Sequence, residues 1–116
     1  MSTMNLQVNV KEEDLVQHFK VIGEVDAFTA PVLQEHLAAV QHIQDVQAVI
    51  DLSEVDYIDS TGLGIFIGFY KTLKPNGGYV KIIGVNERLQ RLFHITGIDK
   101  IIDIEADEGG NCNATV

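Results

Sequence analysis

A run rich in aliphatic and β-branched residues, Val46 to Leu52, is followed after a short polar stretch by a strongly apolar run from Leu63 to Leu73. The first reads as a buried strand, because branched side chains suit a pleated surface. In the second, Leu63, Phe66, Ile67, Tyr70 and Leu73 recur at helical spacing. A strand leading into a helix is the repeating unit of an α/β fold, so this one junction limits the architectures open to the chain. The junction itself is Asp59-Ser60-Thr61-Gly62-Leu63-Gly64. It sets a hydroxyl at a helix N-terminus, where unpaired backbone N–H groups and the helix dipole favour an anion such as phosphate.

The rest of the chain supplies more elements of the same kind. Leu6 to Val10 alternates as a strand, Lys11 to Asp14 is a polar turn, and Leu15 to Ile22 is the hairpin mate. Gly23 to Phe28 reads as an irregular connection. Thr29 is placed to cap a helix with Pro31 in its first turn and Leu33, Leu37 and Val40 on its buried side. Pro75-Asn76-Gly77-Gly78 is a stop and turn before a strand from Tyr79 to Ile83. Asn86 caps a helix from Glu87 to Ile95 that Gly97 ends in the left-handed conformation. Ile101 to Ile104 forms a last short strand. The pattern predicts a mixed β-sheet with an N-terminal hairpin and helices packed against it. The domain spans residues 4–104, and the polar, Gly-rich segment 105–116 is expected to be disordered.

At 116 residues the chain makes one domain. Its net charge of −9, with only 8 Lys and Arg, argues against binding nucleic acid, whose phosphates need cations. It suits a cytoplasmic protein that meets a basic partner surface. No run approaches the roughly 20 apolar residues of a membrane-spanning helix, and the first residues lack the regions of a signal peptide. Cys112, the single cysteine, excludes an internal disulfide and a thiolate metal site and reads as an idle exposed thiol.

Two questions about the 60–73 helix stay open at this level. Either Ser60 or Asp59 can be the N-cap, and in the second case Ser60 is free in the first turn. On a helical wheel Ile65 and Phe69 fall opposite the expected core face, and Gly64 and Gly68 leave a strip bare of side chains. That face is either buried against a neighbour or an exposed apolar surface for a partner, and the small size of the domain favours the partner.

Self-contained active sites match poorly. A nucleophile elbow needs G-x-S-x-G, and the chain has Ile58-Asp59-Ser60-Thr61-Gly62. An aspartic protease half needs Asp, one hydroxyl residue and then Gly, whereas Asp59 precedes two hydroxyl residues. Gly62, Gly64 and Gly68 miss the dinucleotide fingerprint, and the four histidines form no ligand set with carboxylates. What remains is a modifiable hydroxyl rather than a catalytic centre.

Gly23-Glu24-Val25-Asp26, Thr29-Ala30-Pro31-Val32-Leu33, Tyr57 to Gly64 and Glu87 to Gly97 together resemble the STAS-domain anti-sigma factor antagonists of bacteria. The resemblance runs from about Met4 to Ile104 and is nearest to the general-stress branch of Gram-positive bacteria. It implies a protein without catalytic activity that binds an anti-sigma factor and frees a sigma factor. That anti-sigma factor would be a serine kinase, holding ATP and Mg²⁺ itself, that phosphorylates Ser60; a serine phosphatase would reverse the step. Asp26, Asp59, Thr61 and Gly62 would surround the phosphosite, and Gly64, Ile65, Gly68 and Phe69 would meet the partner. A static STAS scaffold and a hydrolase using Ser60 or Asp59 are the competing expectations.

Overall fold

In the computed structural model of the chain, which describes residues 6–106, the N-terminal hairpin is longer than its sequence pattern. Strand β1 covers Leu6–Glu13 and β2 covers Val16–Val25. They are antiparallel, with Glu13 opposite Val16. The turn is therefore only Asp14 and Leu15, and Asp14 adopts φ 57, a left-handed conformation that Asp tolerates. The polar run Lys11 to Glu13, expected as the turn, is strand whose side chains all face water.

Gly23, Glu24 and Val25, expected as loop, belong to β2. Gly23 has φ 118 and stands beside a register shift, so the glycine marks a bulge rather than an end. Strand β3 is Gln47–Ile58, running well past the expected end at Leu52. The polar pair Ser53-Glu54 looks like a boundary because both side chains are exposed, yet β3 continues through another shift, with Lys20 opposite Asp51 and Ile22 opposite Glu54.

Helix α1 spans Ala30–Ala38 with Pro31 in its first turn. Helix α2 spans Ser60–Leu73 and α3 spans Glu87–Thr96, separated by strand β4, Tyr79–Val85. Asn86 caps α3 by accepting from Leu89 N at 2.8 Å, and Gly97 ends it at φ 82. A short 3₁₀ turn, Ile98–Lys100, leads to β5, Asp103–Ala106. Glu105 and Ala106, read as tail, are thus strand. The remainder of the tail, Cys112 and the start at Met4 lie outside the described residues.

The sheet order is β1-β2-β3-β4-β5. The first pair is antiparallel and the other three are parallel, so the sheet is mixed, as expected. Phe19, Val21, Ala48, Ile50, Leu52, Val80 and Ile82 share one buried cluster with Leu33 and Leu37 of α1, Phe66 and Leu73 of α2, and Leu89 and Phe93 of α3. The helices therefore form one layer on one face of the sheet. The other face carries Lys20 paired with Glu54 at 3.1 Å and Lys81 paired with Glu105 at 2.9 Å. A side-chain hydrogen bond and the charge of the partner glutamate hold each lysine above its usual pKa. At such exposed positions these pairs orient side chains and contribute little stability.

Candidate functional site at the start of helix α2

Strands β2 and β3 end side by side, with Val25 opposite Ile58. Asp59 N donates to Val25 O at 3.1 Å, which extends the pairing one residue beyond the sheet and fixes where α2 begins. Gly62 then lies directly over the strand ends. A β-carbon there would stand 2.5 Å from Val25 Cγ1 and 2.9 Å from Ile58 Cγ2, so a larger residue would push the helix start away from the sheet.

Asp59 is the N-cap. Its Oδ1 accepts from Thr61 N at 2.9 Å and Gly62 N at 3.2 Å, while its carbonyl accepts from Leu63 N at 3.0 Å. The choice that the sequence left open falls to the Asp59 side chain, an acidic group of the kind that suits the positive helix end. Ser60 is the first helical residue, exposed, and its hydroxyl has no hydrogen-bond partner among the described residues. The N–H groups of Thr61, Gly62 and Leu63 are already occupied, so a phosphate on Ser60 would not sink into them. It would stand outside the helix, beside a carboxylate.

The loop after β2 packs next to this terminus. Asp26 Oδ1 accepts from Phe28 N at 2.9 Å and Thr29 N at 3.0 Å, closing a tight turn. Thr29 occupies the N-cap position of α1 but does not cap it. Its buried hydroxyl donates to Glu24 O at 2.8 Å and accepts from Asp26 N at 2.9 Å, locking the turn from behind. Asp26 and Ser60 thus share the carboxyl edge of the sheet, where α/β folds present functional groups, although the Asp26 carboxylate is engaged within its own turn. Sequence reasoning passed over Phe28 at the tip of that turn, which is 89% exposed. An aromatic residue in a short polar connection was the available signal.

Around α2 the expected face is partly corrected. Gly62, Leu63, Phe66, Phe69 and Leu73 are buried, and Phe69 is only 5% exposed. Its ring meets Phe19 edge-on, with centroids 6.5 Å apart at 80°. Phe69 is therefore core and not an exposed contact. The wheel misplaced it because α2 packs on both the sheet and α1, which widens the buried stripe. Ile65 is half-buried at the stripe's edge. Gly64 and Gly68 are exposed, and a β-carbon on either would touch nothing within 4 Å. With Thr61 and Ile65 they form one wall of a shallow groove of about 330 Å³, and Gln34 and Gln41 rise on the α1 side. Asp56, further along the same edge, is exposed, and its carbonyl accepts from Arg88 Nη1 at 3.4 Å.

No group of three or more His, Cys, Asp or Glu among the described residues could hold a metal ion. No described helix is long and apolar enough to cross a membrane.

Comparison with known proteins places this arrangement. The STAS domain profile matches residues 7–110. The anti-sigma-B factor antagonist of Bacillus subtilis is 45% identical over 92% of this chain and 98% of that protein. A solved anti-sigma factor antagonist from Mycobacterium paratuberculosis is 31% identical and superimposes with a TM-score of 0.79, covering 90% of this chain and 88% of that one. Bacillus SpoIIAA in its phosphorylated form, at 14% identity, shares the fold with a TM-score of 0.66 over 89% of this chain and 93% of that one. A five-stranded mixed sheet, a leading hairpin, one helical layer and a profile match over nearly the full length agree: the chain belongs to the STAS-domain family.

Proposed function

We propose that this protein is an anti-sigma factor antagonist switched by phosphorylation of Ser60. The unmodified protein binds a cytoplasmic anti-sigma factor and so releases a sigma factor. The anti-sigma factor is a serine kinase that supplies ATP and Mg²⁺, and a serine phosphatase restores the active form. The chain itself does no catalysis. The observation that carries the reading is the division of labour at α2: Asp59 does the capping, which leaves the adjacent Ser60 hydroxyl exposed and unused. The groove along Gly64 and Gly68 supports it, since two bare helical turns let a partner's backbone come close. The Bacillus antagonist's name and the phosphorylated form of SpoIIAA agree with it.

The physics of the switch follows from the cap. Phosphate adds about −1.5 to −2 charge, and Asp59 directs it outward toward whatever covers α2. A thousandfold loss of affinity needs about 4 kcal/mol, within the cost of burying one uncompensated charge in a protein contact. No refolding is required. Incubation with the purified anti-sigma factor and ATP-Mg should add one phosphate, mapped to Ser60, and abolish binding. Ser60→Ala should bind equally well and stay bound under the same conditions. Labelling of another residue, or release of Ser60→Ala by ATP, would refute the proposal.

A further inference from the structure

We propose that Phe28 is an aromatic anchor that inserts into an apolar pocket of the anti-sigma factor, beside the cleft that receives Ser60. This rests on the antagonist reading above. Among the large apolar residues exposed in the described structure, Phe28 is the most exposed, at 89%. Single exposed apolar residues are common on protein surfaces, so its exposure matters only together with its position and its rigidity.

The position is fixed through the sheet edge. Asp59 N is bonded to Val25 O, Ser60 directly follows Asp59, and Phe28 lies on the turn that begins after Val25. A standard interface covers about 800 Å² per partner, a disc with a radius of roughly 16 Å. Chain connectivity keeps Phe28 within about 20 Å of Ser60 even at full extension, and the closed turn shortens that span. An interface of that size is about 32 Å across, so one patch has room for both Ser60 and Phe28.

The rigidity comes from the backbone. Phe28 N is held by Asp26 Oδ1, and Thr29 N and the Thr29 hydroxyl tie the same turn to Asp26 and Glu24. Any residue but proline would satisfy that turn, because the bonds come from the residues around Phe28 and from its own N–H. The ring contributes next to nothing to the core. It has only two side-chain torsions to immobilise, and aromatic rings are among the groups that carry most of the energy of protein interfaces.

The test measures binding of the purified anti-sigma factor from the same organism by calorimetry, with melting temperature as the folding control. Phe28→Ala should bind about 30-fold more weakly at an unchanged melting temperature, and Phe28→Tyr should stay within about threefold of the parent. Ile95→Ala, which removes another exposed apolar side chain from the last turn of α3, should bind like the parent. If the parent binds and ATP releases it while Phe28→Ala binds within twofold, the anchor is overturned and the antagonist reading stands. If the parent fails to bind the anti-sigma factor, both fall.

Discussion

Replacing Gly64 and Gly68 together by alanine should make the protein more stable and a poorer binder. Both glycines sit inside α2 with helical backbone, and a β-carbon at either meets no atom within 4 Å. Nothing is overpacked in the free protein, so each change contributes only the conformational gain of Ala over Gly, about 0.5–1 kcal/mol. The pair should add about 1–2 kcal/mol, a rise in melting temperature of several degrees for a domain of this size. The same two methyl groups would project into the groove beside Thr61 and Ile65. In a close-packed contact an extra methyl costs about 1–3 kcal/mol, so affinity for the anti-sigma factor should fall at least tenfold. Calorimetric melting and titration on the same preparations measure both signs, and misfolding cannot produce the pair. A lower melting temperature would mean that the glycines serve packing within the monomer. A higher one with unchanged affinity would remove the groove from the interface.

Gly62→Ala should act in the opposite sense and lose about 1–3 kcal/mol in urea denaturation, because its methyl group collides with Val25 and Ile58. Phe69→Ala should cost about 3–5 kcal/mol by opening a cavity against Phe19, while Ile65→Glu should reduce binding more than it reduces stability. Tyr79 donates a hydrogen bond to Asp103, which raises the phenol above its ordinary pKa of 10.0, with partial burial adding to the effect. The stabilisation is present at neutral pH and is lost as pH rises through the raised folded-state value. Tyrosinate absorbance should therefore titrate later in the parent than in Asp103→Asn.

The strand–helix alternation was legible in the sequence because its apolar periods are strong, and α3 was bounded within a residue by Asn86 and Gly97. The extensions of β2 and β3 were not legible. Gly23 and the Ser53-Glu54 pair carry the chemistry of loop residues, and only cross-strand pairing reveals them as bulges. Phe69 was misplaced for a different reason. The helical period of α2 picks out Leu63, Phe66 and Leu73 as core, but packing against α1 as well as the sheet widens the buried stripe to include Phe69. At the junction, sequence located the Ser60 turn but could not choose between two adjacent capping side chains, since that choice depends on backbone geometry at a single residue.

The strand order has a further consequence for how the molecule is made. It follows the chain from one end to the other, so each strand emerging from the ribosome finds its neighbour already synthesised and none must be inserted between two others. A domain generally folds as a unit, and a sheet built only from sequential neighbours needs no strand to be threaded into place as it does so. Val25, Ile58 and Asp59, which hold the turn at Ser60, all precede that residue. The backbone bond and strand-end contacts that place Ser60 therefore involve no strand later than β3, and β4 and β5 add to the far edge of β3 without disturbing them.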